Sequence, residues 1–230
     1  ATDFTVEAIE YLCNRSLTMI TRSGKPRFRQ LPGNGPHGVF LGIRIHGEIA
    51  GALKTLEQWL IDSGGHLDKS LVAMGSVNLA QIKEIRHALP ETVNHQISEI
   101  RRQYPAITKL GTDMAVPDAH LKDIMNLYVS RLEESGLDFV IFGHIGNNHL
   151  HVNILPRNPA EFDLGKRLYR EFAHQVVAMG GSVSAEHGIG KVKRYLLDIQ
   201  FPSGELDQMR ATKKAFDPHF LLGPGTLFEE

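Results

Sequence analysis

The sequence predicts an α+β fold: an antiparallel sheet with helices packed on one face, followed by short C-terminal helices. Two kinds of periodicity and their order predict it. Apolar residues alternate with period two over 38–46 and on both sides of a turn at 145–148. Amphipathic stretches of helical period cover 49–63, 118–134 and 159–179. Strands, helices and a hairpin then follow in the order strand, helix, strand, helix, hairpin, helix.

From the N-terminus, Val6, Ile9, Leu12 and Cys13 stand at helical spacing behind Thr5 as N-cap, so 5–17 is expected to be a helix. Residues 22–36, rich in Gly, Pro and Arg, predict an exposed loop. The strand 38–46 sets Val39, Leu41, Ile43 and Ile45 on one face and Phe40 on the other. The helix 49–63 ends before Gly64-Gly65. A short strand is expected at 71–74, and helical pieces over 78–104 broken at Pro90. Another short strand, 112–116, precedes Pro117. Asp118 is then expected to cap a helix to about 134, with Leu121, Ile124, Met125, Tyr128 and Leu132 on one stripe.

Strands at 139–143 and 149–155 flank the turn 145–148. A long helix over 159–179 stops at Gly180-Gly181, and short helices follow near 190–197 and 203–216, before an extended tail. No short-period repeat, low-complexity tract or strong linker divides the chain. The expectation is one domain over 1–230 with a C-terminal tail at 215–230.

The chain has 230 residues, 42% hydrophobic and 22% charged, with a formal net charge of −1. That balance offers no electrostatic footprint for nucleic acid or an anionic membrane surface. The basic runs at 22–29 and 191–194 are short and read as solvated faces. One cysteine, Cys13, excludes an intramolecular disulfide, suits a reducing compartment and sits in an apolar pattern as a small core residue. No apolar run reaches the length of a membrane span, and the N-terminus has no secretory pattern, so a cytoplasmic location is expected.

Chemistry concentrates in two segments. The first is Gly143-His144-Ile145-Gly146-Asn147-Asn148-His149-Leu150-His151-Val152-Asn153, and the second is Ser184-Ala185-Glu186-His187-Gly188-Ile189-Gly190. On a strand, His149, His151 and Asn153 share one face, expected to meet a cleft or solvent, while Leu150, Val152 and Ile154 face the core. His144 can meet His151 across a tight hairpin, and Glu186 supplies a third ligand. Three protein ligands with open positions form the pattern of a catalytic metal site. His187 directly follows Glu186 and suits a general base better than a further ligand. For His149 three roles stay open: a fourth ligand, a donor to another ligand, or an exposed turn residue.

These segments resemble the C-terminal, substrate-capping half of FAD-linked D-2-hydroxy-acid dehydrogenases, the group of D-lactate, glycolate and D-2-hydroxyglutarate dehydrogenases. The resemblance extends to Phe40-Leu41-Gly42-Ile43-Arg44-Ile45, to Gly111-Thr112-Asp113-Met114-Ala115-Val116-Pro117, and to Lys214-Ala215-Phe216-Asp217-Pro218. It implies a ferredoxin-like cap and a divalent metal (zinc, iron or manganese) on His144, His151 and Glu186, with His187 as base. Asn153 and Arg86 would contact the substrate, and Lys109 would be a second carboxylate contact, although its spacing to Pro117 departs from the family's.

It also implies FAD, held by a flavin domain or subunit on which the tail docks. No segment here is assigned to the flavin, which makes the chain a fragment or a separate subunit by this reading, inactive by itself. The family hairpin reads Gly-His-x-Gly-Asp-Gly-Asn-x-His, whereas here Asn147-Asn148-His149 replaces its middle. The implied reaction is oxidation of a D-2-hydroxy acid to the 2-oxo acid. A flavin-independent metal hydrolase and a non-catalytic docking subunit are the competing readings.

Overall fold

The computed structural model describes residues 4–22, 37–67 and 70–228. The loop expected at 22–36 lies outside them, apart from Arg22. In chain order the elements are β1 (Phe4–Leu12), α1 (Asn14–Arg22), β2 (Gly38–Ile45), α2 (Ile49–Asp62) and α3 (Gly75–Gln103). They continue with β3 (Leu110–Gly111), β4 (Met114–Ala115), α4 (Leu121–Ser135), β5 (Phe139–His144) and β6 (His149–Ile154). The last are α5 (Pro159–Ala178), α6 (Leu197–Gln200) and α7 (Ser203–Phe216). Two compact units result: Ala1–Glu99 with Val140–Gly146, and Ile100–Phe139 with Asn147–Glu230.

In the first unit β1 lies between β2 and β5, antiparallel to both. The helix expected at 5–17 is therefore corrected: residues 4–12 form a strand, and the helix starts only at Asn14. A bulge between Val6 and Ala8 explains the misreading. The extra residue shifts the strand's alternation by one, which leaves Val6 and Ile9 three apart, as on a helix. Cys13 is buried as expected; its sulfur accepts from the Ile141 amide at 3.2 Å and lies 3.2 Å from Ser16 Oγ.

Two further expectations in this unit are corrected. Residues 71–74 pair with no described strand, and Leu71 and Val72 are exposed. Apolar character alone does not make a strand without a neighbour to satisfy its backbone. Helix α3 runs through Pro90 unbroken. Ile85, Ala88, Leu89, Val93 and Ile97 are buried along it. Burial of one large aliphatic side chain contributes about 1.5–3 kcal/mol, so a few together outweigh the roughly 3 kcal/mol that an interior proline costs.

In the second unit β6 pairs antiparallel with both β3 and β4. The single strand expected at 112–116 is thus two short ones, interrupted at Thr112-Asp113. Thr112 bridges the gap: its Oγ1 accepts from the Val152 amide at 2.9 Å and donates to the Leu150 carbonyl at 3.3 Å. The interruption leaves Asp113 outside the ladder. Asp118 does not cap α4; it opens a 3-10 turn, Asp118–His120, after Pro117. Helix α4 buries Ile124, Tyr128 and Leu132, and Tyr128 meets Phe172 of α5 edge-on at 4.8 Å. Asn158 caps α5 by accepting from the Glu161 amide at 3.0 Å. Among the described residues no helix is long and apolar enough to cross a membrane.

Candidate functional site

Strand β6 carries His149, His151 and Asn153 at alternate positions, as the sequence predicts, but that face is not open to solvent. His149 and Asn153 are 5% and 1% exposed, and only His151 is partly accessible. His149 tolerates burial because its Nε2 meets Asp113 Oδ1 at 3.0 Å, and a paired polar group costs far less to bury than an orphaned one.

Asp113 is the organising residue of this region and has no exposed surface. Its carboxylate accepts from Ser184 Oγ at 2.9 Å, from the His187 amide at 2.9 Å and from the Glu186 amide at 3.3 Å. Its own carbonyl accepts from the Ala185 amide at 2.8 Å. The turn carrying Glu186 and His187 is thereby tied to the gap between β3 and β4. Burial by itself would raise the Asp113 pKa. The His187 amide, the Ser184 hydroxyl, the His187 ring and the Glu186 amide outweigh it, and the net shift is downward.

The rings around it are oriented. His151 Nδ1 lies 3.0 Å from the Thr112 carbonyl, which only accepts, so Nδ1 carries a proton and donates there. His187 Nδ1 lies 3.4 Å from Asp113 Oδ1, and its side chain is 59% exposed. Its ring stacks on that of His151 with centroids 5.2 Å apart. His149 Nδ1 is 3.7 Å from Glu186 Oε2. Ligand atoms of His149, His151 and Glu186 lie within 4.8 Å of one another, as do those of Asp113, His151 and His187. Two imidazoles and a carboxylate at this separation could hold a divalent cation.

Asn153 and Lys109 belong to the same unit. The Asn153 side-chain oxygen is buried and has no hydrogen-bond partner among the described residues. A Cβ at Gly111 would lie 2.9 Å from that oxygen and 3.1 Å from Lys109 Cε, so both side chains approach the same point beside Gly111. Burial, and then the like charge of Lys193, lower the Lys109 pKa. Lys193 is half-buried with a lowered pKa of its own, so the run at 191–194 is not simply a solvated face.

His144 and Arg86 belong to the first unit. Glu10 Oε1 takes both, His144 Nδ1 at 2.9 Å and Arg86 NH2 at 2.6 Å. Glu10 is buried and Arg86 half-exposed, so the guanidinium is partly committed to a protein carboxylate. Sequence reasoning missed Glu10 and Asp113. Glu10 was hidden in the misassigned helix. Asp113 carried one local signal, an acidic residue inside an otherwise apolar strand pattern.

The chain belongs to the family described as FAD linked oxidases, C-terminal domain, whose model matches residues 62–227. It is 29% identical over 155 residues to the glycolate oxidase subunit GlcD of Bacillus subtilis strain 168, covering 66% of this chain and 33% of that one. It is 27% identical over 232 residues to a D-2-hydroxyglutarate dehydrogenase of Xanthomonas citri pv. viticola, covering 97% of this chain and 46% of that protein. The chain thus spans less than half the length of these relatives. Among solved structures, a 4-ethylphenol oxidase from Gulosibacter chungangensis in complex with isoeugenol matches with a TM-score of 0.54 at 13% identity. That match covers 96% of this chain and 47% of the other, and it bears on the fold alone.

Proposed function

We propose that this chain is the substrate- and metal-binding part of an FAD-dependent dehydrogenase that oxidises a D-2-hydroxy acid, of the D-lactate or glycolate kind, to the 2-oxo acid. The observation that carries the reading is the convergence of His151 and Glu186 beside an accessible, oriented His187. Family membership and the names of the relatives support the reaction class.

His151 and Glu186 would hold a divalent cation (zinc, iron or manganese), together with His144 as read from the sequence. When bound, the cation supplies polarisation of the substrate hydroxyl, and the flavin supplies the acceptor for the hydride leaving C2. His187 takes the hydroxyl proton at Nε2, because Asp113 engages Nδ1 and the ring is open to solvent. Asn153 would contact the substrate, and its side-chain oxygen is buried with no hydrogen-bond partner among the described residues. Lys109, whose Cε approaches Gly111 as the Asn153 oxygen does, would offer its ammonium group to a carboxylate, and half-exposed Arg86 is a second candidate. The flavin would belong to a further domain or subunit, with the tail 215–230 docked on it, in the cytoplasm.

The test is anaerobic flavin bleaching by D-lactate, glycolate, malate and 2-hydroxyglutarate, with the flavin-binding part and metal present. Reduction by at least one acid is expected. His187→Ala should slow it by about 10²–10⁴-fold while metal content is unchanged. No bleaching by any of the acids overturns the assignment. Loss of metal in His187→Ala would mean that His187 is a ligand and not the base.

A further inference from the structure

The position of His149 deepens this reading, and rests on it. A carboxylate only accepts hydrogen bonds when ionised, so the 3.0 Å contact with Asp113 Oδ1 places a proton on His149 Nε2. Its Nδ1 then faces Glu186 Oε2, 3.7 Å away. The distance is too long for an N–H···O hydrogen bond, whose usual range ends near 3.2 Å. It is short enough for two ligands of one ion, because bonds of roughly 2.1 Å each allow ligand atoms up to about 4.2 Å apart.

We propose that His149 binds the cation directly through Nδ1, as a ligand additional to the His144, His151 and Glu186 set read from the sequence, so that one unit by itself contributes His149, His151 and Glu186. Asp113 holds the far side of the His149 ring, which fixes its tautomer and direction. The Thr112 carbonyl does the same for His151. The ring centroids of His149 and His151 are 4.5 Å apart with planes at 66°, and a nitrogen of each lies within 4.8 Å of the other and of a Glu186 oxygen. Two imidazoles and one carboxylate favour zinc, iron or manganese over magnesium or calcium, which take all-oxygen shells. His187 stays outside the ligand set, with its ring stacked on His151. Asp113 is a positioning residue rather than a ligand, since its carboxylate is already occupied by Ser184 and the backbone amides of Glu186 and His187.

The experiment titrates the metal-stripped full protein with Zn(II), and in parallel with Mg(II), by calorimetry. Wild type should bind Zn(II) in preference to Mg(II), and His149→Asn should weaken Zn(II) binding by about 10–100-fold or more. Should His149→Asn fail to fold, a long-range proton–nitrogen spectrum of zinc-loaded wild type decides without a substitution. His149 Nδ1 is expected at a metal-bound shift with Nε2 still protonated. Equal Zn(II) affinity in His149→Asn, or a zinc-loaded wild type whose His149 Nδ1 is protonated, overturns this inference alone. A wild-type protein that takes up neither Zn(II) nor Mn(II) nor Fe(II) overturns the metal reading beneath it as well.

Discussion

Each unit buries one carboxylate against an imidazole, Glu10 against His144 and Asp113 against His149, but the two are satisfied by different partners. Glu10 places one oxygen between a ring nitrogen and the half-exposed guanidinium of Arg86. Among the described residues no Arg or Lys hydrogen-bonds to Asp113, although the charge of Lys193 is near enough to act on it. It is held by a hydroxyl, two backbone amides and two ring nitrogens, several of them from the 184–187 turn. A charge-paired carboxylate orients side chains that have solvent as an alternative. A carboxylate bound by backbone amides determines the path of the chain, because it fixes the main chain itself rather than the end of a side chain.

The largest effect expected from this contrast is in Asp113→Ala. Removing the acceptor orphans the donors around it, and loss of a buried network should cost about 3–5 kcal/mol in denaturant unfolding. Amide protection at Glu186 and His187 should vanish with it in hydrogen exchange. A loss below about 1 kcal/mol would mean that solvent replaces these contacts freely. Glu10→Gln keeps the shape and one acceptor, and should cost only about 1 kcal/mol, with the difference reduced further by added salt. Equal losses at the two sites would erase the distinction drawn above.

Asn158→Ala removes a helix cap that touches neither carboxylate. It should cost about 1 kcal/mol, giving a reference for one lost side-chain-to-amide bond. The smallest effect concerns Asp217, which repeats the backbone-held arrangement at the C-terminal end. It accepts from the amides of Leu221 and Leu222 at 2.9 Å each and pairs with Lys213. The Lys213 contact, against the cost of burial and with help from the two amides, lowers its pKa. A depressed carboxyl pKa stabilises the folded form above the unfolded value near 3.9, and the contribution is lost as pH falls through the folded value. Protection of the Leu221 and Leu222 amides should therefore hold at neutral pH and decline only below about pH 4. In Asp217→Asn that acid-dependent decline should be absent.

Much of the architecture was legible from local pattern. Strand β2 and helices α2, α5 and α7 fall within a residue or two of their expected bounds, since one face of each repeats at its own period. Strand β1 was not legible, because a bulge disguises alternation as helical spacing. Helix α3 was not, because the cost of Pro90 is offset by burial that no local window contains. In the site, residue type announced His151, Glu186 and His187. The burial of His149 and Asn153 was not announced, because it depends on what the chain lays over β6.

Residue chemistry and periodicity alone determined that imidazoles and a carboxylate would be carried on a hairpin and a glycine-flanked turn of an α+β chain. Only the tertiary structure decided which nitrogen of each ring is spoken for, and by whom. Asp113 reaches His149 across 36 residues and the His187 amide across 74. Glu10 reaches His144 across 134. Hydrogen bonding acts over ångströms in space, and local spacing carries no record of which distant donor will arrive there.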